Sequence, residues 1–88
     1  MVEFVEKDVL LERDGWTCHI CKGEIPKGLD WKHPLFPHIE HIVPLSKGGE
    51  HSYKNTAPAH ASCNLQKGNM LDGWQNIKPI TSEEVPHG

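Results

Sequence analysis

The sequence predicts a small α+β domain stapled by one metal ion, on three observations. Two half-motifs, Cys18-x-x-Cys21 and His60-x-x-Cys63, stand far apart in the chain. Between them a β-branched run, Ile39-Glu40-His41-Ile42-Val43, leads into Pro44 and then the Gly48-Gly49 pair, the pattern of a strand giving way to a loop. Stretches with helical periodicity flank that run, one ahead of the first half-motif and one through the second.

Length and composition set the limits. At 88 residues the chain forms one domain, 1–88, and a core of that size is marginal without a staple. Three cysteines cannot all pair within one chain, which argues against a secreted disulfide scaffold and for metal or a reducing compartment. A formal charge of −3 gives no global basic signature, so a nucleic-acid ligand needs a local patch or a metal. No run is long enough to span a membrane. The acidic N-terminus, with Glu3, Glu6 and Asp8, does not read as a signal peptide. A cytoplasmic monomer without membrane partners is the expectation.

Taken in order, the spacing predicts a helix from about Phe4 to Arg13, with Val5, Val9 and Leu10 sharing a face. Gly15 is available for its left-handed cap. This helix is expected to pack over the metal site, and its acidity makes it a poor surface for DNA. Cys18-x-x-Cys21 followed by Gly23 reads as a zinc knuckle, since two thiolates at that spacing converge on one cation. A redox Cys-x-x-Cys would sit beside a βαβ pattern, which is missing here. With His60 and Cys63 the knuckle completes a closed Cys3His tetrahedral set of the structural type. His19, between the cysteines, is expected at the surface. Residues 24–37, with Pro26, Gly28, Pro34 and Pro37, read as a loop with a brief hairpin return near Ile25. Trp31, Leu35 and Phe36 are expected to pack as core or lid. His38, two residues before Glu40, shares its side of a regular strand and is an additional site candidate.

Glu40-His41 is the chemical centre, because a carboxylate beside an imidazole can hold a divalent cation and take a proton from water. In a regular strand the two side chains point to opposite faces, so sharing one phosphate requires the strand to twist, bulge or end there. A turn of helix is expected around Ser52 to Lys54, with Asn55 capping it or tying the loop back to the His41 backbone. A second helix is expected from His60 to Lys67, ended by Gly68 and carrying Asn64 toward the central strand. Lys67, one turn beyond Asn64, reads either as a phosphate contact or as a solvated helix-end lysine. A short helix through Leu71, Trp74 and Ile77, stopped by Pro79, and a frayed tail, 79–88, complete the expectation.

In order, Cys18-x-x-Cys21, Glu40-His41-Ile-Val-Pro-Leu-Ser-Lys-Gly-Gly49, Asn55 and His60-x-x-Cys63-Asn64-x-x-Lys67-Gly68 resemble the HNH endonuclease family. The likeness is strongest to its small zinc-containing phage and bacterial members and covers a core of about 16–69. The resemblance implies a ββα-metal, treble-clef-like fold with a structural zinc and flanking helices. It implies that His41 is the general base, that Glu40 and Asn64 bind the catalytic ion, and that Asn55 orients the base or its loop. Asn64 stands where histidine is frequent, making this an HNN variant. Its amide oxygen favours Mg2+ or Mn2+ over Zn2+. Glu40 stands where aspartate is commoner, and His60 where cysteine is more usual.

The function so implied is metal-dependent hydrolysis of DNA, by nicking or double-strand cutting. Contact would run through phosphates, to Lys47, Lys54 and Lys67, and little sequence selectivity is expected. The resemblance also permits work beside phage terminase and portal proteins. A zinc-stapled module binding nucleic acid or protein without catalysis is the alternative. Nicking lost in Glu40→Ala or Asn64→Ala would discriminate.

Overall fold

The computed structural model describes residues 3–68 together with Met70 and Gly73. Its elements are α1 (Lys7–Arg13), β1 (Pro37–His41), 3-10 turns at Leu45–Lys47 and Tyr53–Asn55, β2 (Thr56–His60) and α2 (Ala61–Lys67). β1 and β2 pair antiparallel, with Pro37 opposite His60, Glu40 opposite Ala57 and His41 opposite Thr56. α2 starts at the residue after β2 ends, and His60 is its N-cap. Two strands and a helix thus form the expected unit, with α1 lying against β2. Among the described residues no helix is long and apolar enough to cross a membrane.

α1 begins at Lys7, later than the Phe4 expected, because Glu6 is extended, with φ −99° and ψ 128°. Backbone bonds hold that entry segment open. Glu3 N–H donates to the His51 carbonyl at 3.1 Å, and Glu6 N–H donates to the Tyr53 hydroxyl at 3.2 Å. The buried face also differs from the periodicity reading. Leu10 and Leu11 are buried together with Val5 from the entry segment, while Val9 is exposed. Arg13 fastens the helix to the start of β2, donating to the carbonyls of Tyr53 and Thr56 at 2.9 Å each. Gly15 is left-handed, with φ +63°, as a helix-ending glycine is free to be.

The core forms around sulfur. Leu11, Ile20, Ile25 and Ala59 cluster with Cys18, Cys21 and Cys63, and Trp16 packs against them. α1 therefore does cover the cysteine cluster. In the loop before β1, Leu35 is buried and Phe36 lies under the Lys7 ammonium, 4.2 Å from the ring centroid. Trp31 is 70 % exposed and packs neither as core nor as lid. The same loop completes α2. The carbonyls of Phe36 and Pro34 accept from the N–H groups of Ala61 and Ser62 at 2.9 Å each, satisfying donors that a helix start leaves without partners.

The short turn lies at Tyr53–Asn55, one residue later than expected. The helix expected through Leu71 and Trp74, and the tail beyond it, fall outside the described residues apart from Gly73.

Candidate metal centre and active site

Cys18, Cys21, His60 and Cys63 come together as the spacing predicts. Their ligand atoms all lie within 4.8 Å of one another, and all four residues are buried. A single Thr17–Glu24 bridge closes the knuckle, and Cys18 N–H donates to the Gly23 carbonyl at 2.9 Å. Backbone N–H groups of Cys21 and His60 point at the Cys18 sulfur, at 3.5 and 3.4 Å. That of Gly23 points at Cys21 Sγ, at 3.4 Å. His60 donates from Nε2 to the Glu24 carbonyl at 2.8 Å. This fixes its tautomer and turns Nδ1 toward the sulfurs, the outer-shell bond that metal-binding histidines characteristically make.

The protonation balance of the four groups matches a cation site. Hydrogen bonds from Cys63, then from His60 and backbone amides, pull Cys18 down to about 3 against the cost of burial. Cys63 is pushed up by Cys18 and by burial. For His60 burial works downward, but Cys18 and the Glu24 carbonyl outweigh it and lift the ring to about 9. Negative charge thus concentrates until protons stay on its neighbours, and a divalent cation relieves the same charge by displacing those protons. Three thiolates and one imidazole in a closed set suit zinc.

β1 ends at His41, at the place where the pair requires the strand to twist, bulge or end. The Glu40 carboxylate is 1 % exposed and pairs with Lys67 Nζ, at 2.6 Å from Oε1. Its Oε2 is buried, accepts no hydrogen bond, and lies 3.9 Å from His19 Nε2. His19 is therefore half-buried against the strand, not the surface residue expected, and burial is the first cause lowering its pKa. Lys67 also departs from expectation. Its side chain is 1 % exposed, and Nζ donates to the carbonyls of His41 and Ile42 at 3.1 and 3.3 Å. An ammonium enclosed in this way is withdrawn from any phosphate on the surface; it fastens α2 to the end of β1.

His41 is half-buried, and its Nε2 lies 3.0 Å from Nδ1 of His51. Burial lowers its pKa first, the His51 ring and Lys67 add to that, and Glu40 opposes. The imidazole is thereby biased to its neutral, proton-accepting form. Sequence reasoning gave His51 no role; its only signal is a histidine directly after the Gly-Gly-Glu turn.

Asn55 ties the loop after β1, although to Val43 and Glu50 and not to His41 directly. Its Oδ1 accepts from Val43 N–H at 2.9 Å, and its Nδ2 donates to the carbonyls of Val43 and Glu50 at 3.0 and 2.8 Å. Its own carbonyl accepts from Ile42 N–H at 2.9 Å. The loop closes so tightly that a Cβ at Gly49 would overlap the Val43 carbonyl. Asn64 is half-buried on α2, next to the ligand Cys63. Lys47, Lys54 and His38 are exposed.

Glu40 and Asn64 each carry a hard oxygen of the kind that Mg2+ or Mn2+ takes. Of the two Glu40 carboxylate oxygens, Oε2 is the one not taken by Lys67. The Lys67 ammonium on Oε1 is a like charge that the ion would have to tolerate. Among the described residues the sulfur-rich set is the only cluster of three or more His, Cys, Asp or Glu groups able to hold a metal.

A family model described as HNH endonuclease matches residues 18–70. No curated protein and no solved structure matches the chain. The match runs from the first knuckle cysteine through β1, β2 and α2, and it supports a nuclease-type function in general terms. Covering more than half of the sequence, it shows that the chain belongs to the HNH endonuclease family.

Proposed function

We propose that the chain is a metal-dependent DNA endonuclease that nicks or cuts both strands with low sequence selectivity. The observation that carries this reading is His41. It is an imidazole biased toward neutrality at the end of β1, its carbonyl held by Lys67 and its ring by His51. Glu40 and Asn64 would hold one divalent cation, Mg2+ or Mn2+, which when bound supplies positive charge at the phosphate and the departing oxygen. His41 takes a proton from water, and the water oxygen attacks phosphorus in line. The bond to the 3′ oxygen breaks, and that oxygen takes a proton from solvent, leaving a 3′-hydroxyl and a 5′-phosphate. Asn55 keeps the loop beyond His41 closed. Lys47 and Lys54 are the phosphate contacts that remain once Lys67 is seen to be enclosed. The setting we assign is the cytoplasm of a bacterium or a phage-infected host, as a monomer, with terminase and portal proteins as candidate neighbours.

Plasmid cleavage with added Mg2+ or Mn2+ tests the assignment. Loss of a general base costs about 10²- to 10⁴-fold, and His41→Ala is expected to fall in that range. Full activity in that variant would remove the base.

The Glu40–Lys67 contact favours a second reading, a zinc-stapled binding module without catalysis. In that case Glu40→Ala and Asn64→Ala change no ion-dependent cleavage, because there is none.

A further inference from the structure

His51 lies outside every motif that carries the family resemblance, yet it makes the closest side-chain contact to the proposed base. The rings are tilted by 45° with centroids 5.2 Å apart, so the contact is nitrogen to nitrogen and not a stack. At 3.0 Å between His41 Nε2 and His51 Nδ1, one ring must donate and the other accept, since each neutral imidazole has one N–H and one lone pair. If His51 donated, the Nε2 lone pair of His41 would be occupied and its Nδ1 would carry the hydrogen. No acceptor would then remain for water. Only the reverse arrangement leaves a base.

We infer that His51 is a positioning residue that accepts the Nε2–H of His41 at its own Nδ1, so fixing the tautomer that exposes Nδ1 of His41 to the attacking water. This inference rests on the reading of His41 as the base.

The backbone around His51 is fixed from two sides. Its carbonyl accepts from Glu3 N–H at 3.1 Å, and Tyr53 N–H donates to Glu3 Oε1 at 2.6 Å. On the other side Asn55 Nδ2 holds the Glu50 carbonyl at 2.8 Å. The N-terminal entry segment and Asn55 together hold the histidine that holds the base.

The test combines kinetics with nitrogen NMR on the zinc-loaded full chain. In wild type, 15N shifts of His41 are expected to show hydrogen on Nε2. In His51→Ala they should show a mixture with the Nδ1–H form. kcat for plasmid cleavage should fall about 10- to 100-fold, the range seen when a metal-binding histidine loses its outer-shell partner, with KM little changed. His51→Asn places an amide oxygen where Nδ1 stood and should restore both readouts. His51→Phe keeps a ring without an acceptor and should not. Unchanged kcat and tautomer in His51→Ala would overturn the inference, as would equal losses in the Asn and Phe variants. A second tightly held metal lost with His51 would overturn it too, in favour of a chelating pair. The NMR readout needs no cleavage, so an active His41→Ala, which sinks the base, is a separate result.

Discussion

Asn55 uses its entire side chain on the loop after β1: one acceptor and two donated bonds, all to backbone. Asn55→Ala leaves those groups without partners and should cost about 1–3 kcal/mol, from the desolvation of unpaired polar groups. Urea unfolding of the zinc-loaded protein measures it. Asn55→Asp is expected to fare no better, since it keeps the bond from Val43 N–H but turns a carboxylate toward two carbonyl oxygens. His41 sets the pH behaviour at this scale. Burial is the first cause holding its folded pKa below the ordinary value of 6.5. The native state therefore resists protonation there. Its contribution to stability is intact above 6.5 and is lost as pH falls from 6.5 toward the depressed value. For the same reason the acid limb of the cleavage rate should lie below 6.5, and a pH profile with its limb above that value would contradict the assignment.

Among the elements, α2 carries the most. It follows β2 without an intervening residue, brings Cys63 to the sulfur cluster, and sends Lys67 back to Glu40 on β1. Both members of that ion pair are 1 % exposed, so breaking it strands a buried charge. Lys67→Met alone should destabilise by about 3–5 kcal/mol, whereas Glu40→Gln added to it should recover most of the loss. A double-mutant cycle by thermal unfolding reads the coupling. The ion pair was not legible in the sequence, where Lys67 reads either as a phosphate contact or as a solvated lysine at the end of its helix. β2 was equally hidden. Pro58 at its centre, opposite Ile39, cannot donate to a ladder, and proline ordinarily argues against a strand. It is tolerated here because the Pro58 carbonyl accepts from His19 N–H at 2.9 Å and so faces away from β1; the ring nitrogen faces the same way, and the ladder lacks no donor.

For the whole molecule, the sulfur–imidazole set was legible because ligand spacing reports convergence directly, while the ββα arrangement came from the family resemblance. The α1 boundary was not legible, because it depends on long-range bonds to His51 and Tyr53 that no local pattern encodes. With the apolar core arranged around the three cysteines, chelation of the metal should unfold the chain and not merely loosen it, as in other small metal-dependent domains. Loss of near-ultraviolet circular dichroism on adding a strong chelator, reversed by zinc, is the expected result. Retention of a cooperative melt without metal would contradict it. Acid should release the ion as protons return to the thiolates.

Three sulfurs have a further consequence. A bound Zn2+ offers two positive charges against three negative ones, so filling the centre makes a chain of formal charge −3 more anionic. Net charge then opposes the approach of a polyanion, and attraction falls to local groups such as Lys47 and Lys54. Encounter should depend on the salt cations around both partners, and raising Mg2+ should speed capture of DNA even in a variant that cannot cut it.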